Sequence, residues 1–348
     1  MARAYMTDTE SRTSGEEAPG RSGPARPAVA RLRRAFTRLG GEGRWRRGWV
    51  LAALAALVAL LMVLHSRIPN RFGNLGSLLE TFLPWLGLSI PVLLGAALLR
   101  RSATALVALL LPALVWANLF GGLIADKRGS GGDLTVLTHN VNADNPDPTG
   151  TARQLARAGA DVVALQELPK RSVPRYEAAL EDAYPYHSVQ GTVGLWSRYP
   201  LSDARPVDIG IGWTRAMRAT VDTPKGRIFA YVAHLPSVRV KFEAGFTARQ
   251  RDLAADMLGE AIVLESIERG VLLGDLNGTM NDRALASVTS QMRSTQGAAG
   301  DGFGFSWPAS FPMTRIDQIM VKGVEPVSSW SLPRTGSDHL PLAASVSW

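Results

Sequence analysis

Apolar and polar residues divide the chain into three regions of different character. Residues 1–47 carry few large apolar side chains and many Ser, Gly, Pro, Glu and Arg. Long uncharged apolar runs follow up to Ile124, and short apolar runs alternate with polar turns over 133–348. Because a segment that buries little apolar surface does not fold alone, the pattern predicts a disordered tail, membrane-spanning helices and a folded C-terminal domain.

Three apolar runs are long enough to cross a bilayer core of about 30 Å as helices. They extend over about 48–64, 81–99 and 103–124. A buried core helix is the alternative explanation for each run, and a signal peptide is a further alternative for the first. A 47-residue leader is too long for a signal peptide, however, and no small-residue cleavage site follows Leu64. The sequence therefore predicts three transmembrane helices within 48–125 and a linker over 126–132.

The positions of the arginines predict the orientation in the membrane. The tail holds eleven Arg against five acidic residues, and Arg100 and Arg101 lie in the short turn between the second and third runs. Basic residues near membrane spans are retained in the cytoplasm. We therefore expect a cell-membrane, multi-pass protein with a cytoplasmic N-terminus, whose three spans place the C-terminal domain outside the cytoplasm.

Part of the tail has helical periodicity. Four apolar residues fall on one side of a helix and arginines crowd the rest. The apolar residues are Val29, Leu32, Phe36 and Leu39. A basic helix lying on an anionic leaflet and a solvated charge run are both consistent with this pattern.

Strand-like and helix-like segments are mixed in the C-terminal region. The predicted strands are 134–141, 161–165, 194–198, 218–222, 228–234, 271–274, 316–321 and 342–348. The predicted helices are 149–158, with Thr149 as its cap, 246–259 and 282–286. This mixture favours an α+β sandwich over alternating parallel units.

Five short segments carry polar groups, and most of them end a strand-like run. They are Thr138-His139-Asn140-Val141, Leu165-Gln166-Glu167, Ala233-His234-Leu235, Gly274-Asp275-Leu276-Asn277 and Ser337-Asp338-His339. Attack on a phosphoryl group needs a hard cation, an activated water and donors where negative charge develops. Glu167 and Asp338 offer carboxylate oxygens to Mg²⁺, and Asn140 offers an amide oxygen as a neutral ligand.

Each segment alone has an ordinary structural explanation. A Glu after a strand is commonly a surface residue, a lone His is often a packing residue, and Gly-Asp-x-Asn also occurs as a turn. His139, beside Asn140, is predicted to be such a packed strand residue. The combination of five segments in this order favours catalysis.

In this order, the five segments resemble the endonuclease/exonuclease/phosphatase superfamily, over about 133–348. The resemblance implies a DNase I-like four-layer sandwich, with two packed mixed sheets flanked by helices and the site at one end. It also implies a metal-dependent hydrolase of phosphate ester bonds that uses Mg²⁺, with Mn²⁺ as the alternative.

The resemblance implies a role for each polar residue. Asn140, Glu167 and Asp338 hold the metal; Asp275 orients or activates water; Asn277 and His234 contact the phosphate; and His339 pairs with Asp317 on the side of the nucleophile. One of two arginines, Arg215 or Arg218, is predicted to bind a phosphate oxygen. The sequence does not choose between them.

The distribution of net charge along the chain distinguishes between nucleic acid and other candidate substrates. The net charge of +8 divides into +6 for the tail, +4 for 48–132 and −2 for 133–348, the last from 21 basic and 23 acidic residues. A protein that binds duplex DNA neutralises several phosphates with Lys and Arg. The slightly acidic domain therefore makes nucleic acid the less favoured partner.

The three spans, together with Ser306-Trp307-Pro308 ahead of Asp317, resemble a membrane-tethered actinobacterial branch that includes teicoplanin-resistance membrane proteins. That looser resemblance implies a lipid-linked pyrophosphate of the cell wall as the substrate, and glycopeptide resistance. The linker independently keeps the domain near membrane lipids. Three hypotheses follow: a phosphohydrolase or phosphodiesterase at the outer membrane face, a membrane-anchored extracytoplasmic nuclease, and a non-catalytic protein that binds phosphate ligands. No obligate protein partner is expected.

Overall fold

The computed structural model describes residues 48–71, 74–238 and 245–348. The basic tail over 1–47, with its amphipathic stretch, lies outside the described residues, so those two predictions stay predictions.

The apolar region forms a group of helices. They are α1 (Trp49–Leu64), which continues into a 3₁₀ turn (His65–Arg67), α2 (Leu75–Thr81), a 3₁₀ helix (Leu83–Leu88), α3 (Ser89–Leu99), α4 (Ala103–Ala108) and α5 (Leu110–Ile124). In the described part of the chain, two helices, Trp49–Arg67 and Ala103–Ile124, are long and apolar enough to cross a membrane. A bent pair of helices between them raises the number to three if the pair forms one span.

The middle segment differs from the predicted straight span over 81–99. Helical structure begins at Leu75, and the axis bends by 71° between Leu75–Thr81 and Leu83–Leu99. Pro84, in the first turn of the 3₁₀ helix, has no backbone N–H to donate to the preceding turn. The bend directs α2 toward the C-terminal domain instead of along the bundle.

The two ends of the bundle have different surroundings. At one end, a cluster that includes Ala55, Ala97 and Leu109 contains no residue of the C-terminal domain. At the other end, Met62, Leu83 and Phe120 pack with Phe303, which belongs to that domain. Gly48 lies against Ser102, so the N-terminal end of α1 and the Arg100-Arg101 turn share the end away from the domain.

The C-terminal domain contains two six-stranded sheets. Its strands are β1 (Leu134–Asn140), β2 (Val162–Gln166), β3 (Tyr186–Gln190), β4 (Val193–Ser197), β5 (Leu201–Pro206), β6 (Ala216–Thr223), β7 (Gly226–His234), β8 (Gly270–Asp275), β9 (Arg293–Ser294), β10 (Asp317–Lys322), β11 (Glu325–Ser331) and β12 (Leu342–Ser347). The strand orders are β11-β12-β1-β2-β4-β3 and β5-β6-β7-β8-β10-β9. Both sheets are mixed, because β1 pairs with β2 and β7 with β8 in parallel, while the other neighbours are antiparallel.

Helices cover the outer faces of the sheets. They are α6 (Pro148–Arg157) and α7 (Val173–Leu180) on the first sheet, and α8 (Gly245–Val263), a 3₁₀ turn (Arg283–Leu285) and α9 (Ala286–Thr289) on the second; α10 (Thr295–Ala299) follows β9. In β2, Val162 and Ala164 face the core between the sheets, while Val163 and Leu165 face the helices. A strand that is covered on both faces needs apolar residues at every position. Such strands therefore appear as continuous apolar runs, and for this reason they can be predicted from the sequence. The predicted four-layer α+β sandwich of DNase I-like fold is confirmed.

All eight predicted strands are present, with ends that differ by at most two residues. The four strands that were not predicted, β3, β5, β9 and β11, are the edge strands of the two sheets. Edge strands are partly exposed and carry polar residues, so their apolar pattern is weak. The cap of α6 was also predicted wrongly: Asp147, not Thr149, accepts a hydrogen bond from the Gly150 backbone N–H, at 2.8 Å.

Candidate active site

The central strands of both sheets bring the predicted polar residues to one end of the sandwich. Asn140 ends β1, His234 ends β7, and Asp275 ends β8 opposite His234. Asp317 begins the antiparallel strand β10 and pairs in register with Asp275. Glu167 directly follows β2, and its φ of +58° is uncommon for a residue with a side chain. The surrounding fold holds it in this conformation, with its carboxylate beside Asn140.

Asp275 is the centre of this cluster. Its Oδ2 atom accepts a hydrogen bond from Asn140 Nδ2 at 3.0 Å, and the same nitrogen donates to Glu167 Oε1 at 3.1 Å. His234 Nε2 lies 3.5 Å from Glu167 Oε1 and 3.7 Å from Asp275 Oδ2. Two carboxylates from different sheets thus converge on the same two side chains.

Burial raises the pKa of Asp275 to about 7, and the negative charge of Asp317 adds to this increase. His339, the Asn140 amide and the Asn277 backbone N–H act in the opposite direction. A carboxyl group with a pKa near neutrality can both accept and release a proton at pH 7. The surroundings of Asp275 therefore suit it to acid–base chemistry.

His339 and Asp317 form a buried pair. His339 Nδ1 lies 2.8 Å from Asp317 Oδ2, which also accepts a hydrogen bond from Ser306 Oγ at 2.6 Å. Burial lowers the pKa of His339, but Asp317, Asp275 and Asp338 outweigh it and raise this pKa to about 10. The imidazole ring of His339 is therefore a cation at neutral pH. Ser306 was not predicted to contact Asp317, because the two residues lie eleven positions apart, with a loop and a β-bridge between them.

His234 has the opposite protonation state. It is buried, and burial together with the positive charges of Arg215 and His339 holds the pKa of His234 well below its usual value. Arg215 lines the same cleft, and its guanidinium carbon lies 5.1 Å from the ring centre of Trp213. Arg215 Nη2 donates to the Leu235 carbonyl at 3.4 Å, while its buried Nε has no hydrogen-bond partner.

Arg218, the other arginine considered for phosphate binding, does not lie in the cleft. It is buried within β6, and its Nε and Nη2 atoms each donate to a carboxylate oxygen of Glu265 at 2.9 Å. Its Nη1 atom donates to Asp203 at 2.7 Å. The structure therefore places the Arg218 guanidinium in a buried ion pair and Arg215 at the cleft.

Asp338 lies at the mouth of the site and is linked to the cluster indirectly. Its Oδ1 atom accepts a hydrogen bond from Asn142 Nδ2 at 3.0 Å, and the Asn142 backbone N–H donates to Asn140 Oδ1 at 3.0 Å. Trp307 Nε1 donates to Asp338 Oδ2 at 3.3 Å. The structure thus brings Asn140 and Glu167 into contact and places Asp338 one residue away from them.

Asn277 continues the loop that leaves β8. Its backbone N–H donates to Asp275 Oδ1 at 2.9 Å, and its side-chain Nδ2 donates to the Leu235 carbonyl at 2.9 Å. Its φ of +47° lies in the left-handed region, which Asn tolerates better than most residues. The side chain is therefore fixed at the cleft wall, next to Asp275. The packed-strand interpretation of His139 agrees with its burial and its 2.9 Å contact to Thr335 Oγ1.

The polar cluster opens into a cleft of about 800 Å³. One wall of this cleft comes from the apolar N-terminal region, since Ser77, Leu78, Thr81 and Phe82 line it beside His234, Asp275 and His339. This wall was not predicted, because Ser77 precedes the apolar run over 81–99. Ser77 and Glu80 are polar residues just before an apolar run, the sequence signal that could have indicated a docked helix, and both are buried.

Arg251 attaches this wall to the catalytic loop. Its guanidinium is fully buried and pairs with Asp282, with 2.7 Å between Nη1 and Oδ2. Nη1 also donates to the Asn277 carbonyl at 2.9 Å, and Nη2 donates to Ser77 Oγ at 3.0 Å. Thr279 Oγ1 donates to the Glu80 carbonyl at 3.1 Å. Helix α2 is therefore fixed to the loop that carries Asn277.

The oxygen-rich donor set suits a hard divalent cation. Glu167 Oε1 and Asp275 Oδ2 converge on Asn140 Nδ2, the Asn140 Oδ1 atom accepts from the Asn142 backbone N–H, and the chain has no cysteine. Among the described residues, a buried group of three, Asp275, Asp317 and His339, has ligand atoms that all lie within 4.8 Å of one another. Asp317 Oδ1 in this group has no hydrogen-bond partner. These residues can hold a divalent metal, as the donor chemistry predicts.

The fold and the site define a metal-dependent hydrolase of phosphate ester bonds. Carboxylates, amides and histidines gathered at one end of the sandwich supply the metal ligands, proton acceptors and hydrogen-bond donors that such chemistry uses. The sequence model of the Endonuclease/Exonuclease/phosphatase family matches residues 137–339, more than half of the chain, and the chain belongs to that family. A search among curated proteins found no match.

Solved structures share the fold of the C-terminal domain. A D. rerio TDP2 humanized by 14 mutations is 19% identical, with a TM-score of 0.52, and the match covers 62% of this chain and 99% of that chain. A beta toxin from Staphylococcus aureus is 14% identical, with a TM-score of 0.51, and the match covers 61% and 99% of the two chains. A mannosyl-6-phosphatase of Bacteroides thetaiotaomicron is 14% identical, with a TM-score of 0.50, covering 62% and 100%. At these identities the similarity concerns the fold alone.

Proposed function

We propose that the protein hydrolyses a phosphoester or pyrophosphate bond in the headgroup of a membrane lipid, at the outer face of the cell membrane. The observation that carries this proposal is the wall of the catalytic cleft formed by α2 and Phe82. These residues directly precede the apolar segment Leu83–Leu99. A reacting group in the cleft therefore lies next to the membrane surface, where lipid headgroups are found.

In this proposal, Glu167 and Asn140 hold Mg²⁺, and Asp338 completes the site from its mouth. Mn²⁺ prefers the same oxygen ligands and is the alternative ion. A bound cation supplies charge stabilisation to the phosphoryl oxygens and favours deprotonation of the attacking water.

The side chains of this chain perform the remaining steps. A water oxygen bonds to phosphorus while the bond from phosphorus to the leaving oxygen breaks. Asp275 accepts the proton of that water, and the cationic His339, with Nε2 3.8 Å from Asp275 Oδ2 and Nδ1 held by Asp317, favours the ionised carboxylate. Arg215, Asn277 and neutral His234 bind the phosphoryl oxygens from the cleft wall.

Three features support the extracytoplasmic orientation. Gly48 and the Arg100-Arg101 turn lie at the end of the bundle away from the catalytic domain. The segment Leu83–Leu99 has six 3₁₀ residues and eleven α-helical residues, a length of roughly 28 Å that is close to the thickness of a bilayer core. With α1 and Ala103–Ile124, it makes three crossings, which place the arginines and the domain on opposite sides.

A nuclease is the alternative function. Among the described residues that line the cleft, Arg215 is the one Arg or Lys. Binding of a nucleic-acid backbone depends on several such cations, so this cleft favours a small phosphate headgroup. A non-catalytic phosphate-binding protein is the third possibility, and it differs from the first two by the absence of turnover.

The experiment is phosphate release from undecaprenyl pyrophosphate by the detergent-solubilised full-length protein, in Mg²⁺ or in EDTA, with supercoiled plasmid in parallel. Asp275→Ala is the inactive control. We expect release that requires both Mg²⁺ and Asp275, with intact plasmid. Nicked plasmid without phosphate release would establish the nuclease instead, and binding of the lipid without any turnover would establish the binding protein.

A role in glycopeptide resistance is the most specific form of this proposal, and it requires that the lipid carry a cell-wall intermediate. Its test is the susceptibility of cells to teicoplanin with the wild-type chain or Asp275→Ala. Equal susceptibility in both strains would show that the enzymatic activity does not confer resistance.

A further inference from the structure

A second cavity, which we call the apolar groove, lies between the membrane helices and the catalytic domain. It has a volume of about 440 Å³, and its lining includes Trp85, Leu88, Ile90, Trp116, Phe303 and Phe305. No charged side chain lines it in the described part of the chain. The groove therefore suits a ligand without polar groups.

The groove adjoins the catalytic cleft. Phe82 lines the cleft and is the N-cap of the 3₁₀ helix Leu83–Leu88, whereas Trp85, three residues later, lines the groove. Residues i and i+3 of a 3₁₀ helix lie one above the other. Trp85 Nε1 also donates to the Met313 carbonyl at 2.7 Å, and the next residue, Thr314, lines the cleft. The two cavities thus share a wall.

Interactions within the walls keep this groove apolar and open. Both tryptophans use their N–H groups in the wall, because Trp116 Nε1 donates to the Pro84 carbonyl at 2.8 Å and Trp85 to Met313. The rings of Phe303 and Phe305 stack at 5.1 Å, and Phe305 stacks on Trp85 at 5.9 Å. The floor is therefore made of stacked rings and offers no unpaired hydrogen-bond donor from the two tryptophans.

We propose that the groove binds the apolar chain of a lipid whose phosphate or pyrophosphate lies in the catalytic cleft. This inference rests on the proposed function and names the part of the substrate that the cleft does not hold. A helix of a partner protein does not fit, since a cylinder about 10 Å wide and 5.4 Å long, one helical turn, already fills this volume. A lipid chain is thinner, and the surrounding membrane supplies it.

The first test compares two substrates with the same headgroup, farnesyl pyrophosphate and isopentenyl pyrophosphate, on the full-length protein in detergent. Burial of each additional methylene improves binding about threefold to fourfold. The wild-type chain should therefore have a kcat/KM at least about 100-fold higher for the longer substrate. Equal kcat/KM values for the two substrates would contradict the proposal that the groove binds the apolar chain.

Ile90→Trp fills the groove, and Val92→Trp is its matched control. Both residues are β-branched and lie on α3, but Val92 is 70% exposed and does not line the groove. We expect Ile90→Trp to lower the ratio of kcat/KM between the long and short substrates at least tenfold, mainly through KM. Val92→Trp should leave the ratio unchanged. An unchanged ratio in Ile90→Trp, or the same loss in both variants, would contradict the proposal.

A measurement without turnover separates this inference from the proposed function. The probe is a farnesyl pyrophosphate analogue with a photoreactive group at the end of its chain, cross-linked in EDTA to the wild type and both variants. We expect cross-links at groove residues such as Trp116 and Phe303, lost in Ile90→Trp and kept in Val92→Trp. Groove labelling without hydrolysis of either substrate would reject the enzymatic function and keep the groove. Hydrolysis of the substrates, with cross-links scattered over the lipid-facing surface of the helices, would reject binding in the groove and keep the enzymatic function.

Discussion

At the scale of single residues, the site holds two buried histidines in opposite protonation states. His339 faces Asp317 and Asp275, whereas His234 faces Arg215 and His339. Burial favours the neutral form of both rings, but the carboxylates around His339 outweigh it and raise its pKa, whereas Arg215 and His339 add to the effect of burial and lower the pKa of His234. One histidine therefore supplies a positive charge and the other a neutral ring at the same pH.

This difference predicts how stability depends on pH in the metal-free protein. The folded pKa of His339, about 10, lies above its unfolded value of about 6.5. Its contribution is fully present below pH 6.5 and is lost as pH rises toward 10. We expect the Tm in EDTA to fall by several degrees over this range and to fall less in His339→Gln. His187→Gln, at an exposed histidine, should follow the wild type; a wild-type slope in His339→Gln would contradict the assignment.

Arg215 and Arg218 provide a matched pair of substitutions. Arg215→Ala removes the arginine that lines the cleft and should raise KM tenfold to 100-fold with little change in Tm. Arg218→Ala leaves Glu265 buried without its partner, which costs about 3 kcal/mol, so Tm should fall while KM of the folded enzyme stays unchanged. Steady-state kinetics and thermal unfolding of both variants check this. A larger KM effect for Arg218→Ala would reverse the assignment.

Glu167 tests the metal position. Glu167→Gln keeps the size of the side chain but removes the negative charge next to Asn140. We expect the Mg²⁺ concentration for half-maximal activity to increase tenfold or more, because a carboxylate binds Mg²⁺ more strongly than a neutral amide. Glu177→Gln, at a surface glutamate that pairs with His187, is the control. The same metal dependence in both variants would exclude Glu167 as a ligand.

At the scale of elements, α2 is both a part of the apolar N-terminal region and a wall of the candidate active site. Gly76 allows its close approach, since a Cβ atom there would overlap the Ile68 carbonyl oxygen and the Arg283 side chain. Arg283 Nη1 in turn donates to the Ser66 carbonyl at 2.6 Å. The position of α2 therefore depends on this glycine and on the contacts of Arg283 and Arg251.

Gly76→Ala should displace α2 and reduce activity. We expect a loss of about tenfold in kcat/KM and a lower Tm, because the backbone oxygen at Ile68 cannot move as freely as a side chain. Gly95→Ala is the matched control, since it lies in α3 with no atom within 4 Å of the added Cβ. Equal activity of the two variants would indicate that the wall formed by α2 does not contribute to catalysis.

At the scale of the whole molecule, the helical bundle has one end at the catalytic domain and the other at Arg100 and Arg101. Because the natural chain has no cysteine, single cysteines can report this topology without background. In intact cells, a membrane-impermeant maleimide should label Ser130→Cys and not Arg100→Cys. After permeabilisation, it should label both variants. The reverse pattern would place the domain in the cytoplasm, and equal labelling would show that the helix Ala103–Ile124 does not cross.

The sequence by itself determined the central strands, the class of chemistry and the presence of apolar helices. Strands covered on both faces require continuous apolar residues, and a phosphoryl site requires polar groups where those strands end. Both signals are local, so they can be read from neighbouring residues. The edge strands have only one covered face, and their weaker pattern was missed.

Only the tertiary structure decided which side chains meet. Asn140 and Asp275 are 135 residues apart, and Arg251 and Ser77 are 174 residues apart. Arg215 and Arg218 are three residues apart, yet one reaches the cleft while the other pairs with Glu265 behind the sheet. The docking of α2 depends in the same way on distant partners. Such contacts follow from how sheets and helices pack, and no local pattern of residues encodes them.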